Sequence, residues 1–305
     1  MRRAGAILAG AATLVVIGAI ALWFASAPVR LNAAEIAAAP PGDAARGERV
    51  FWAGGCASCH AAAGAEGGAR FRLAGGVSLA TPFGTFVAPN ISPDPKDGIG
   101  GWSFADFANA MMRGVSPDGS HLYPAFPYPS YARMTIADVA DLYAFLKTLP
   151  AVKGRAPEHR LGFPFNIRRG LGLWKRAFLH PDPVVRFDAP GERLARGRYL
   201  VEGPGHCGEC HTPRNPAGAA DTSRWLAGAP AAAGSGKVPN ITPGSSKFGG
   251  WSEDEIVEFL TSGFTPDFDS AGGAMAEVVR NLAELPAEDR AAIAAYLRAV
   301  PAVTD

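Results

Sequence analysis

Two stretches of this chain share one pattern of chemistry-bearing residues: two cysteines are separated by two residues and followed directly by a histidine. They are Cys56-Ala57-Ser58-Cys59-His60 and Cys207-Gly208-Glu209-Cys210-His211. This spacing is typical of covalent attachment of a c-type haem, in which the histidine gives one axial nitrogen to the iron. The motifs predict two covalently bound haem c groups, attached through Cys56, Cys59, Cys207 and Cys210, with His60 and His211 as iron ligands.

Paired cysteines also occur in redox disulfides and in zinc sites. Here a histidine follows each pair, the pattern occurs twice, and it uses all 4 cysteines of the chain. Covalent haem explains these features together. No nucleophile or acid–base pair stands out elsewhere, so we expect an electron-transfer protein without catalytic residues.

The overall composition sets limits on domain number and partners. A length of 305 residues allows two domains of ordinary size. The formal net charge of +1 provides no global field to attract nucleic acid, so no nucleic-acid partner is expected. The 37 glycines and 26 prolines predict short helices joined by long loops.

The N-terminus predicts a membrane anchor. Arg2 and Arg3 precede an uncharged, mostly apolar run from Ala4 to about Ala27, close to the ~20 residues that span a bilayer. Residues 1–27 are therefore predicted to be a single-pass helix in the cytoplasmic membrane, with the rest of the chain in the periplasm. The alternative is a cleaved signal peptide, since Ala25-Ser26-Ala27 has the small-x-small form of a cleavage site. The length of the run favours the anchor.

Helices must position the two motifs. A short helix over 44–53, N-capped by Asp43, is predicted to deliver the first motif, and 61–101 should form loops that wrap the haem. Further helices are predicted over 102–113, ended by Gly114, and over 135–149.

The chain repeats itself at a period of about 150 residues. Matched blocks occur in the same order in both copies, which indicates a duplicated domain. They are Arg46-Gly47 with Arg196-Gly197, Pro89-Asn90-Ile91 with Pro239-Asn240-Ile241, and Gly100-Gly101-Trp102-Ser103 with Gly249-Gly250-Trp251-Ser252. We expect a first copy at 40–150, a linker at 151–191 and a second copy at 192–303, each copy having three to four helices around one haem.

The linker is rich in basic residues. Three interpretations are open: a docking strip for an acidic partner, pairing of arginines with haem propionates, or a solvated surface. The basic residues are Lys153, Arg155, Arg160, Arg168, Arg169, Lys175 and Arg176.

The second axial ligand of each iron decides the chemistry. A methionine thioether gives a six-coordinate iron with a raised potential, whereas an open position admits small molecules. Met275, in a glycine-rich segment that reads as a loop before the last helix, is predicted to ligate the second haem.

The first copy has no methionine at the corresponding place. Counting back from the last helix of each copy aligns Met134 with Leu285 and Pro124 with Met275. Met134 is nevertheless the predicted ligand of the first haem, because it lies between the proline-rich loop and the last helix. The alternatives are Met111 or Met112, His121, and an open position.

Several longer motifs carry a resemblance to a known family. They are Thr81-Pro82-Phe83-Gly84-Thr85, Asn90-Ile91-Ser92-Pro93-Asp94, Gly98-Ile99-Gly100-Gly101-Trp102 and His121-Leu122-Tyr123-Pro124-Ala125-Phe126-Pro127-Tyr128. The chain resembles the membrane-anchored c-type cytochrome subunits of periplasmic alcohol, aldehyde and gluconate dehydrogenases, and of some molybdenum hydroxylases. Alcohol and gluconate members carry three haems, and they tend to have methionine where Phe126 stands here.

The resemblance implies two tandem class I cytochrome c-like domains, and with the anchor the predicted fold class is all-α after an N-terminal transmembrane helix. It also implies a relay that takes electrons from a periplasmic dehydrogenase, or from quinol, to a downstream cytochrome or terminal oxidase. A dihaem cytochrome c peroxidase is the alternative, because the displaced ligand of the first copy would leave one iron accessible.

Overall fold

The computed structural model describes residues 2–231 and 236–305, with the side chains at 2–6, 8 and 9 outside the description. The first part of the chain, through the linker, contains α1 Arg2–Ala25, α2 Ala33–Ala37, α3 Ala44–Ala53, α4 Cys56–His60, β1 Ser78–Thr81, β2 Gly84–Val87, α5 Phe104–Arg113, α6 Tyr128–Tyr131, α7 Ile136–Thr148, β3 Arg160–Leu161 and α8 Gly170–Phe178. The second copy contains α9 Glu192–Glu202, α10 Gly208–His211, β4 Ala229–Pro230, β5 Lys237–Val238, α11 Glu253–Ser262, α12 Ala274–Leu282 and α13 Ala287–Ala299.

One helix crossing organises each copy: α3 packs on α7, and α9 packs on α13. A glycine lies at each crossing. A Cβ on Gly47 would lie 2.0 Å from the carbonyl oxygen of Asp141, and a Cβ on Gly197 would lie 1.9 Å from that of Ala292. Only glycine allows the two backbones to approach this closely.

A buried carboxylate ties the same crossing together in each copy. Arg46 Nε donates to Asp141 at 2.7 Å, and Arg196 Nε donates to Asp289 at 2.7 Å. Both carboxylates are buried, whereas both arginines stay partly in contact with solvent. The repeated Arg-Gly block therefore has a structural reason: the glycine sets the distance between the helices and the arginine fixes their register.

Local signals placed most of the helix ends correctly. Asp43 caps α3 by accepting from Arg46 N at 2.9 Å. Gly114 ends α5 in the left-handed conformation with φ 58°, whereas the helix begins at Phe104 behind a Ser103 capping box and not at 102. Thr135 caps α7, which ends at Thr148. These predictions are confirmed because side-chain caps and left-handed glycines are determined by neighbours in sequence.

The all-α prediction was wrong. Part of the region expected to be loops forms a β1–β2 hairpin, to which linker strand β3 adds a third antiparallel strand, and β4 pairs with β5. Thr81 Oγ1 donates to Gly84 O at 2.9 Å and closes the turn. Gly84 has φ 120°, and a Cβ there would lie 2.4 Å from Arg160 O, so the turn and the docking of the third strand both require glycine.

The predicted transmembrane helix is also corrected. A bilayer span needs about 20 consecutive apolar residues, and within 2–231 and 236–305 no helix is long and apolar enough to meet that requirement. Met1, at the start of the predicted anchor over 1–27, lies outside the described residues.

The C-terminal end of α1 is held by the basic linker. Arg169 donates from Nε to Ser26 Oγ at 2.9 Å and from Nη2 to Trp23 O at 2.6 Å, and its guanidinium lies 4.1 Å from the centre of the Trp23 ring. Arg176 donates to Ala25 O, and Ser26 O accepts from His121 Nε2 at 2.9 Å. Carbonyls at a helix C-terminus lack partners within the helix and attract cations.

Two more linker residues bind backbone carbonyls of the first copy. Lys175 Nζ donates to Arg113 O at 2.8 Å and also to Gly114 O, and Arg168 donates to His121 O at 3.1 Å. Burial lowers the pKa of Lys175 to about 7. These basic residues therefore stabilise the fold itself, a use that differs from all three interpretations of the sequence.

Candidate haem-attachment sites

Each cysteine motif forms one short helical turn, α4 in the first copy and, with Cys207 as its N-cap, α10 in the second. A residue with positive φ precedes each motif, Gly55 at 57° and His206 at 40°. This left-handed residue turns the chain sharply from the end of α3 or α9 into the motif. Glycine adopts it without strain, whereas the second copy holds a histidine in a conformation that costs energy for residues with a Cβ.

The motif histidines are oriented in the same way in both copies. His60 Nδ1 donates to Pro89 O at 2.8 Å, and His211 Nδ1 donates to Pro239 O at 2.8 Å. A carbonyl oxygen can only accept, so Nδ1 carries the proton and Nε2 keeps its lone pair for a metal. Burial lowers the pKa of both imidazoles and favours this neutral form.

The proline carbonyls belong to the second repeated block, whose role could not be read from the sequence. Asn90 Nδ2 donates to Val152 O at 2.7 Å, and Asn240 Nδ2 donates to Val303 O at 2.7 Å. Each asparagine thereby anchors its loop to the segment after the last helix of its copy. The repeated Pro-Asn-Ile block was the sequence feature that pointed to these hydrogen-bond acceptors of the histidines.

Of the four motif cysteines, Cys59 and Cys210 are exposed, whereas Cys56 and Cys207 are partly buried. Desolvation raises the pKa of the Cys56 and Cys207 thiols to about 12. Two cysteine sulfurs beside a histidine whose Nε2 carries no proton are the donor set that each c-type haem requires. The residues of both motifs fit that group.

The structure places the two predicted methionine ligands in different settings. Met275 lies in the first turn of α12, partly buried against the core, so the expected loop is a helix beginning at Ala274. Met134 lies in the turn between α6 and α7 and is only 4% exposed.

Each motif accepts a hydrogen bond from the opposite copy. Asn281 of α12 donates from Nδ2 to Ser58 Oγ at 2.7 Å, and Ser130 of α6 donates from Oγ to Glu209 Oε1 at 2.9 Å. Ser58 and Glu209 hold the same place in their motifs, immediately before the second cysteine. Each motif is therefore bound through the same internal residue by the opposite copy, in a pseudo-twofold arrangement that the sequence did not reveal.

Neighbouring residues extend this contact. His206 Nε2 lies 3.2 Å from Gly54 O, which joins the loops that lead into the two motifs. The ring of Tyr131 packs edge-on against the ring of His206 at 5.7 Å between centroids. The structure thus brings together two attachment sites that are far apart in the sequence.

The fold and the paired motifs agree with comparison to known proteins. Residues 44–150 and 194–301 each match the family described as cytochrome c, so the chain belongs to the cytochrome c family. It is an electron-transfer protein with two covalently bound haem c groups.

Three relatives illustrate the match. The chain is 57% identical to a protein described as diheme cytochrome c-type from Cereibacter sphaeroides, over 99% of this chain and 100% of that protein. It is 41% identical to the fructose dehydrogenase cytochrome subunit of Gluconobacter japonicus over 84% of this chain, and 37% identical to the cytochrome c subunit of the quinone alcohol dehydrogenase of Gluconobacter oxydans over 93% of this chain. It spans only 52% of the former protein and 61% of the latter. The predicted resemblance to dehydrogenase cytochrome subunits is confirmed.

The cross-copy hydrogen bonds yield a stability prediction. Replacing both Ser130 and Asn281 by alanine should lower the free energy of unfolding of the haem-loaded chain by about 2 kcal/mol, since each lost hydrogen bond costs on the order of 1 kcal/mol. Calorimetry should also show the two copies beginning to unfold separately. Ser262→Ala is the control, because its hydroxyl bonds to Glu258 O inside α11. A double variant as stable as this control would contradict a stabilising role for the contact.

Proposed function

We propose that the chain is the dihaem electron-transfer subunit of a dehydrogenase and acts in the periplasm. Although this chain matches only part of each, two relatives are described as the cytochrome subunits of fructose and alcohol dehydrogenases. A separate partner would therefore carry out the dehydrogenation. Attachment of haem to such motifs outside the cytoplasmic membrane supports the periplasmic location.

The observation that carries the proposal is the reciprocal contact by which each attachment motif is hydrogen-bonded by the opposite copy. The four motif cysteines would hold the two haems, and His60 and His211 would each give Nε2 to an iron. Met275 would be the second ligand of the second haem. Bound in this way, haem supplies one-electron redox chemistry at a potential that depends on axial ligand and burial.

The chain's own residues keep the two sites together. The Ser58–Asn281 and Ser130–Glu209 hydrogen bonds hold the motifs in register, and Tyr131 packs between them against His206. Short separation between redox groups favours direct electron transfer. Electrons would enter from the dehydrogenase, or from quinol, and leave to a downstream cytochrome or a terminal oxidase.

The relay is tested with the full-length, haem-loaded protein. We expect haem analysis to give two haems per chain. A water-soluble ubiquinol analogue, the probe for the donor side, should reduce the protein, and oxidised soluble cytochrome c, the probe for the acceptor side, should re-oxidise it completely. Multiple-turnover consumption of hydrogen peroxide, without electron delivery to cytochrome c, would instead establish the peroxidase alternative.

A further inference from the structure

The two copies can be aligned on structural markers that are independent of the methionines. Gly114 and Gly263 end α5 and α11 with φ 58° and 83°. An isolated antiparallel bridge follows in each copy, Val115 with His121 and Phe264 with Ser270.

A second pair of markers lies just before the last helix of each copy. Met134 and Leu285 are each 4% exposed. Their amides donate to the carbonyls of Tyr131 and Leu282 at 3.0 and 3.1 Å. Met134 therefore occupies the structural position of Leu285.

In the second copy, where Met275 is the predicted iron ligand, Leu285 shows the structural role of this position. It lines an apolar crevice together with Cys207 and Ile293, so it packs beside the attachment site as a hydrocarbon side chain. Methionine has similar volume and commonly fills such space. Met134 is accounted for by packing.

The other methionines of the first copy are similarly explained. Met111 and Met112 lie in the last turns of α5, three and two residues before the capping glycine. The corresponding residues of α11 are Leu260 and Thr261, so the second copy uses these positions without any iron ligand. Met111 is 5% exposed and belongs to the hydrophobic core.

The segment from Gly263 to Leu285 in the second copy is longer than the segment from Gly114 to Met134 in the first. Its extra residues can be placed before or after Met275, and the counterpart of Met275 is then Pro124 or Phe126. Neither side chain can ligate iron. Phe126 packs against Tyr131 and Tyr128 with ring centroids 5.5 and 6.5 Å apart, which makes this region aromatic.

We propose that the first haem has no methionine at its distal position and binds a small neutral diatomic molecule there, whereas the second haem is closed by Met275. The inference rests on haem attachment as proposed above. A neutral diatomic fits because it needs no counter-charge from the aromatic side chains around Phe126.

Carbon monoxide is the probe. Added to the dithionite-reduced, full-length protein, it should bind one equivalent per chain and shift the visible absorption of half the haem. The ferric protein should show the methionine–iron charge-transfer band for one haem only. Binding of none, or of two equivalents, would overturn the proposed difference between the copies.

Three variants separate this proposal from the prediction that Met134 is the ligand. Phe126→Met should supply a thioether, abolish carbon monoxide binding and add a second charge-transfer band. Met134→Leu, which copies the residue of the second repeat, and Met111→Leu should leave both readouts unchanged. Loss of a charge-transfer band in either leucine variant would overturn the proposal. None of these readouts depends on a redox partner, so failure of the relay and failure of this inference are distinguishable.

Discussion

Replacing Met275 with alanine should leave both haems covalently attached while lowering the midpoint potential of the second haem. The thioether favours ferrous iron, and axial ligands shift haem potentials over a range of about 0.8 V. The reduced variant should also bind one more equivalent of carbon monoxide than the parent. Redox titration followed by visible absorption measures both effects on the same sample. Because the covalent bonds come from the cysteines, haem content should not change.

Met134→Leu is the matched control for this experiment, since it also removes a buried thioether but keeps the packing volume. It should retain the parental potentials. Alanine at position 275 truncates a partly buried side chain in the first turn of α12, so the fold is checked by thermal unfolding. A Met275→Ala protein with parental potentials and carbon monoxide stoichiometry would show that the second haem has another ligand.

Gly197→Ala should prevent normal assembly of the second copy and reduce the haem content towards one per chain. The added Cβ would lie 1.9 Å from Ala292 O and 2.9 Å from the Cβ of Tyr296, so α9 and α13 must separate. Overpacking a core commonly costs about 1–3 kcal/mol, and more where the obstacle is backbone that cannot rotate away. We expect a loss at or above the upper end of that range. Haem analysis, and mass spectrometry of proteolytic fragments, would locate the missing haem.

Two other glycines provide controls, one expected to be disruptive and one expected to be nearly neutral. Gly47→Ala should produce the complementary defect in the first copy, because its Cβ would lie 2.0 Å from Asp141 O. Gly250→Ala should be nearly neutral, since among the described residues, apart from its chain neighbours, no atom lies within 4 Å of a Cβ at that position. Full occupancy of both haems in the Gly197→Ala protein would show that the helix crossing can relax.

The sequence by itself determined the features that depend on neighbouring residues. The cysteine–histidine motifs predicted the cofactor because thioether spacing and the adjacent iron ligand are local geometry. Helix ends at Asp43 and Gly114 were readable for the same reason, since caps act within one helical turn. The repeat predicted two copies because duplication leaves matched blocks in order.

The tertiary structure decided what depends on distant residues. The β1–β2 hairpin and its third strand need Arg160 from the linker, and a pattern read for helices could not supply that partner. The basic linker carries no local sign that it binds the carbonyls at the end of α1. Likewise, only the packed structure identifies Pro89 and Pro239 as the acceptors that orient His60 and His211.

The relation between the two haem sites was the least accessible from sequence. The Ser58–Asn281 and Ser130–Glu209 hydrogen bonds join residues far apart in the chain, and nothing in local propensity selects these partners. They form because the glycine-mediated helix crossings fix the shape of each copy, and with it the two surfaces that meet. The sequence thus determined what each site contains, whereas packing decided how the sites are arranged, since long-range contacts depend on the summed geometry of all the elements between them.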